Sequence, residues 1–205
     1  DTLAIQAAQR SSARYYQRPD RRPDNHAARY DPSRTSLEGW NAAIGASRDQ
    51  GELNWAFGVS ATSPGFEIND LGYQTRADRT SVSSQLTRRW TRPGRVFRSA
   101  SVSAYVSSPW NSGWRRLASV GEVFSFGEFL NYWSYNAMVF GNLRSLSDGL
   151  TRGGPLAVSL GGWTADLGIS SDYRKNVRGW FDVSGGRDDL GGWNVSASTQ
   201  LLVNP

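Results

Sequence analysis

The stretch RTSVSSQLTRRW (79–90), TRPG (91–94), RVFRSASVSAYVS (95–107) decides the fold. Val82, Leu86 and Trp90 share one parity with Ser84 and Arg88, while Ser81, Ser83, Gln85, Thr87 and Arg89 share the other. Side chains of a β-strand alternate between faces with a period of two, so one face of this segment is apolar and the other polar. In Thr91-Arg92-Pro93-Gly94 the proline presets φ for a turn, and Gly94 is expected to accept a left-handed backbone. The alternation resumes as Val96, Ala100, Val102, Ala104 and Val106 against Phe97, Ser99, Ser101, Ser103 and Tyr105. Each arm runs for about 12 residues, longer than the ~5–6 common in globular strands and just beyond the ~9–11 with which a tilted strand crosses a bilayer.

The same signal recurs on both sides. Trp40, Ala42, Ile44 and Ala46 oppose Asn41, Ala43, Gly45 and Ser47; after Arg48-Asp49-Gln50-Gly51, Leu53, Trp55, Phe57, Val59 and Ala61 oppose Asn54, Ala56, Gly58 and Ser60. This predicts a second hairpin. Leu3, Ile5 and Ala7 suggest a first strand. Downstream, Trp114–Ser125 is the least regular segment, with Ala118, Val120, Glu122 and Phe124 on one face, a turn at Phe126-Gly127-Glu128, and a return through Phe129, Trp133, Tyr135, Ala137 and Val139. Leu156, Val158 and Leu160 read as a strand that slips register at Gly161-Gly162. Trp163 to Ile169, Val177 to Val183 and Trp193 to Val203 complete roughly ten strands.

Their connections sort by length. Segments 10–34, 62–78 and 141–162 are long, 108–113 and 185–191 intermediate, and 48–52, 91–94, 126–128 and 171–174 short. Short reversals on one rim and longer loops on the other are the asymmetry of an outer-membrane barrel. Trp90, Phe124, Phe126 and Phe129 fall beside short turns, and Trp40, Trp110, Trp114, Phe140, Trp163 and Trp193 beside longer loops, as two interfacial girdles require. The competing reading packs the tryptophans into a sandwich core, which favours strand middles, where Trp55 and Trp133 are expected. The expected fold class is therefore all-β: an antiparallel up-and-down transmembrane β-barrel of about ten strands, or a segment of a larger one, occupying 1–205 as a single domain.

Composition is compatible with this. The chain has 22 glycines, nine tryptophans, eight tyrosines and eight phenylalanines in 205 residues. The mean hydropathy of −0.53 does not exclude a membrane, because a barrel turns only alternate residues to lipid. No cysteine is present, which excludes disulfides and thiolate metal sites. The net charge of +5 comes from arginines scattered among loops and strand ends, Lys175 being the only lysine. Nucleic acid binding is not expected from that scatter. The chain opens DTLAIQAAQ without a signal sequence and closes QLLVNP without a terminal aromatic, so it is expected to be a mature or excised segment.

Chemistry is sparsely signalled. Glu67, Asp70 and Asp78 could supply the carboxylate pair of a glycosidase, but Asn69-Asp70-Leu71-Gly72 reads equally as a capped turn. His26 would need Asp20, Asp24 or Asp31 to bind a metal, and is otherwise a solvated loop histidine. With one histidine, no cysteine and no G-x-S-x-G elbow, nucleophilic catalysis is not expected. The Gly-Gly pairs at 153–154, 161–162, 185–186 and 191–192 lack phosphate-loop spacing, and Asn194-Val195-Ser196 falls inside a predicted strand. Arg14, Arg18, Arg21 and Arg22 with Tyr15 and Tyr16 could pair with an anionic glycan or lipopolysaccharide phosphate, guanidinium being a bidentate phosphate donor; a solvated loop is the alternative.

The segment SPGFEINDLGYQTRADR (63–79) resembles a motif of a bacterial surface-protein family known as domain of unknown function 5916. YYQRPD (15–20), TRPGRVFRS (91–99), LTRGGPLA (150–157) and GGW (161–163) resemble the same family. Members typically place this β-rich region after a domain similar to carbohydrate-binding module family 9, which is absent here, so the resemblance implies part of a larger barrel and no defined chemistry. The expectation is a non-enzymatic protein of the Gram-negative outer membrane without cofactor or metal, serving as a channel, transport component or surface scaffold linked to glycan handling. A soluble β-sandwich carbohydrate-binding module is the alternative. Expected partners are outer-membrane lipid, glycan or lipopolysaccharide, and the rest of a parent chain or a partner subunit. The candidate loop contacts are Arg14, Tyr15, Tyr16, Arg18, Phe66, Glu67, Asp70, Arg76, Arg79 and Arg152.

Overall fold

The structure, a computed structural model, describes residues 2–20, 25–68 and 74–204. After helix α1 (Thr2–Arg10), strands β1 (Asn41–Arg48), β2 (Leu53–Thr62), β3 (Arg79–Trp90), β4 (Phe97–Trp110), β5 (Ser119–Phe129) and β6 (Ser134–Leu143) follow. Two three-residue strands, β7 (Ser145–Ser147) and β8 (Ala157–Ser159), pair with each other, and β9 (Gly162–Ser170), β10 (Val177–Asp188) and β11 (Trp193–Val203) complete the chain. Nine strands form one antiparallel sheet in the order β1-β2-β3-β4-β5-β6-β9-β10-β11. The all-β expectation holds, and the strand estimate of about ten becomes nine in the main sheet plus the small β7/β8 pair. Among the described residues the sheet is open: β1 pairs only with β2, and β11 only with β10.

Several sequence expectations are corrected. Leu3 to Ala8 is helix, not strand: Ala4, Ala7 and Ala8 are strong helix formers, and α1 is tied down by the buried Gln9, whose side chain exchanges hydrogen bonds with the backbone of Asp31 at 2.9 and 2.8 Å. The supposed turn at Phe126-Gly127-Glu128 is strand. Gly127 has no side chain because the Tyr135 ring lies over it, and a Cβ there would stand 2.5 Å from that ring. The reversal instead uses Leu130–Trp133, with Tyr132 at φ 67°. Gly185 and Gly186 likewise lie within β10, so the 185–191 connection shrinks to the reversal after Asp188, where Gly191 takes φ 91°. β4 continues to Trp110, beyond the expected Ser107. Gly94 is not left-handed; its N–H donates to the Phe97 carbonyl, and the extra residue is absorbed in a register shift between Phe97 and Ser99.

The registers give both faces of the sheet. One face carries Ile44, Trp55, Phe57, Val59, Val82, Leu86, Trp90, Val102, Val106, Val123, Val139, Trp163, Leu167, Phe181, Val195 and Leu201. The opposite face is rich in Ser, Thr, Asn and Gln, with Tyr105, Phe124, Phe126, Phe140 and Trp180 among them, and has cross-strand hydroxyl bonds at Thr87–Ser103 (2.9 Å) and Ser184–Ser196 (2.7 Å). No second large sheet covers the apolar face among the described residues. Among the described residues the buried apolar side chains are few, Ala13, Tyr16, Ala28, Ala77 and Leu117, and none lies in a strand of the sheet.

Candidate functional site

Two features stand out: an apolar face that no second large sheet covers among the described residues, and a cap of loops at one rim. On the apolar face Leu86 is 51% exposed and Val195 66%. For scale, burying one side chain of this kind is worth about 1.5–3 kcal/mol, so a face of this extent is not left to water without cause.

Aromatic residues border that face. At the rim of the longer loops Trp110, Trp163 and Trp193 share its parity, and Trp40 extends it one residue before β1. At the opposite rim Trp55, Trp90, Phe129 and Tyr135 do so, and Phe97, Phe129 and Tyr135 form a cluster with ring centroids 5.0–5.6 Å apart. From Ala100, opposite Trp90, to Trp110, opposite Thr80, β4 advances ten positions, about 33 Å along the strand at ~3.3 Å per residue. Not every expected girdle residue belongs there. Phe124 and Phe126 lie on the polar face, opposite Ser103 and Ser101, and so does Phe140, opposite Glu122. Trp114 lies in the loop after β4 with φ 55°, and Trp55 sits near a strand end rather than its middle.

The cap gathers α1 and segments far apart in sequence. Arg14, with no side-chain exposure, pairs with Glu67 at 2.7 Å and donates to the Phe66 carbonyl. The Ala77 N–H donates to the Ala13 carbonyl at 2.9 Å, and Arg76 Nη1 to the Ser12 carbonyl at 2.9 Å. Tyr16 is buried; Arg18 lies 4.0 Å from both Asp20 and Asp148, and Asp20 accepts the Leu156 N–H at 2.8 Å. The Ser112 N–H donates to Asp78 at 2.9 Å. The structure thus unites Arg14, Tyr16, Arg18, Phe66, Glu67, Arg76 and Arg79 in or beside one cap, with several of their charged groups turned inward. Tyr15 stands at φ 48° and Arg152 at φ 49° on its margin, the latter exposed. Asp70, with Arg21, Arg22 and Asp24, lies outside the described residues.

Away from the strands, hydrogen bonding sets the ionisation of several loop groups. The Arg174 guanidinium, bound to Asp172 at 2.7 and 2.8 Å, holds that carboxyl down at about 2 and raises its own pKa. Arg174 also lies over the Tyr132 ring, 3.1 Å from its centroid, joining two neighbouring short reversals. Across the other rim Arg144 binds Asp189 at 2.6 Å, which lowers the carboxyl and raises the guanidinium. No group of three or more acidic, histidine or cysteine side chains suited to a metal occurs among the described residues. No described helix is long and apolar enough to cross a membrane.

These features define a class: an open antiparallel meander with one apolar face, one polar face and a loop cap at one rim. The chain belongs to the family described as a domain of unknown function, DUF5916, whose model matches residues 11–184. No curated protein and no solved structure matches it.

Proposed function

We propose that this chain is the membrane-embedded part of a non-enzymatic outer-membrane β-barrel. Its apolar face meets lipid, its polar face lines the interior, and its cap lies over one mouth. The observation that carries this reading is the apolar face itself, continuous over nine strands and covered by no second large sheet among the described residues. A bilayer supplies the missing cover, and at the ~40° strand tilt of such barrels the ~33 Å between aromatic bands along β4 projects to about 25 Å, the height of their apolar band. Open edges in lipid would leave backbone groups unpaired, so β1 and β11 are completed by further strands of the parent chain or by a partner subunit. In that setting the polar face and the cap support a channel, transport or surface-scaffold role, and the resemblance to a family that carries a carbohydrate-binding-like domain supports a link to glycan handling. The alternative, a soluble carbohydrate-binding β-sandwich, is less well supported, because among the described residues no second large sheet covers the apolar face.

The test is gel mobility of the full-length protein in detergent with and without boiling. A folded form that migrates differently from the boiled form is expected. A monodisperse protein without detergent, with unchanged mobility, would overturn the proposal.

A further inference from the structure

At the rim of the short reversals the apolar face carries a groove of about 480 Å³ between the β3–β4 turn and the start of β4. Trp90, Phe97, Ala100, Val102 and Tyr135 form its apolar lining, and Arg92 and Arg95 also line it. Beside it β4 shifts register between Phe97 and Ser99, and the Val96 carbonyl accepts the Leu130 N–H at 3.1 Å. The surrounding cations are already neutralised: Arg88 pairs with Glu52 at 2.9 Å, and Arg98 with Glu128 at 2.7 Å. Arg92 and Arg95 are exposed and form no ion pair among the described residues.

We propose that this groove is a binding site for an anionic phospholipid, its phosphate held by Arg92 and Arg95 and one acyl chain lying against Trp90, Phe97 and Tyr135. The inference rests on the membrane reading above and adds a specific ligand to it. Guanidinium matches phosphate in a forked geometry, whereas free phosphate has no use for the apolar lining. The aromatic rings lie where the interface between headgroup and hydrocarbon is expected. The two charges are complementary to an anionic head and leave a zwitterionic lipid without that gain.

The experiment uses the full-length protein in mild detergent, with phosphatidylglycerol or phosphatidylcholine of the same acyl composition, read by native mass spectrometry. Preferential retention of one phosphatidylglycerol is expected. R92Q/R95Q is expected to weaken that binding roughly fivefold per guanidinium, about 30-fold together, and to leave phosphatidylcholine unchanged. Ala100→Trp, which fills the groove and keeps both arginines, is expected to weaken both lipids, and inorganic phosphate is expected not to compete. Equal retention of the two lipids by the wild type, undiminished binding in R92Q/R95Q, or displacement by inorganic phosphate would overturn the lipid site. If the same samples keep heat-modifiable mobility, the membrane reading survives that failure; a protein monodisperse without detergent and free of lipid overturns both.

Discussion

Leu86 and Gln85 are adjacent in β3, both exposed, and face opposite sides of the sheet. Leu86 lies between Trp55 and Ala104 on the apolar face, four positions from Trp90 and six from Thr80, the partner of Trp110. If that face meets lipid, Leu86→Arg sets a guanidinium near the middle of the hydrocarbon, at a cost of about 2–4 kcal/mol. If it meets water, replacing an exposed leucine stays within roughly 0.5 kcal/mol. Gln85→Arg adds the same charge one residue away, toward the polar face, and is expected to change stability by less than about 0.5 kcal/mol. The two variants therefore share charge, strand and depth, and differ only in face. Denaturant unfolding of the full-length protein in liposomes, followed by tryptophan fluorescence, reads the difference directly. Indistinguishable midpoints and slopes for the two variants would refute the assignment of the apolar face to lipid.

Three further outcomes follow from local geometry. Asp172 has a depressed folded pKa, so its contribution is present above the unfolded value of 3.8 and is lost as pH falls through about 2; the protection factor of the Gly179 N–H, which donates to Ser171 Oγ at 2.8 Å, measured relative to the intrinsic exchange rate at each pH, should fall across that window, and Asp172→Asn should remove that fall. Gly127→Val should cost about 1–3 kcal/mol because the Tyr135 ring must leave its place, whereas Tyr135→Phe, losing the 2.9 Å bond to Ser125, should cost about 0.5–1.5 kcal/mol; thermal unfolding in detergent ranks the two. Arg14→Ala should loosen the cap by about 1–3 kcal/mol, by removing the partner of Glu67 and of the Phe66 carbonyl; exchange of the Ala77 N–H should rise while the protection of β3 and β4 stays unchanged.

The sheet was legible because a period of two is unambiguous over ten or more residues, and Val82 to Trp90 or Trp193 to Val203 could be read as nothing else. Turns were harder. Gly127 and Gly185-Gly186 look like reversals, yet Gly127 makes room for a ring from the next strand, a fact carried by residue 135 and invisible locally. Leu3 to Ala8 alternates over too few residues to separate strand from helix, and Gln9 settles it through contacts with Asp31. The motifs around 15–20, 63–79 and 150–157 pointed to the cap, but not to its inward-turned guanidiniums, because burial there depends on segments more than 50 residues apart. Phe124 differs for another reason: an expected turn at 126–128 puts it beside a reversal, whereas β5 runs on to Phe129 and its register with β4 sets Phe124 opposite Ser103 on the polar face. The sequence does not set Arg92 and Arg95 apart from their neighbours, because only the structure shows that Arg88 and Arg98 pair with acids while, among the described residues, Arg92 and Arg95 do not.

The cap also bears on how the meander reaches a single alignment. Each hairpin is a neighbour-to-neighbour pairing and can form on its own, but the bond from Leu156 to Asp20 spans 136 residues and closes over six strands of the sheet. A slip of two residues in any intervening pair would offset the strand ends by about 7 Å and part that bond. Assembly of the loop cluster is thus a check on the sum of all the pairings beneath it, satisfied only when every one is in step.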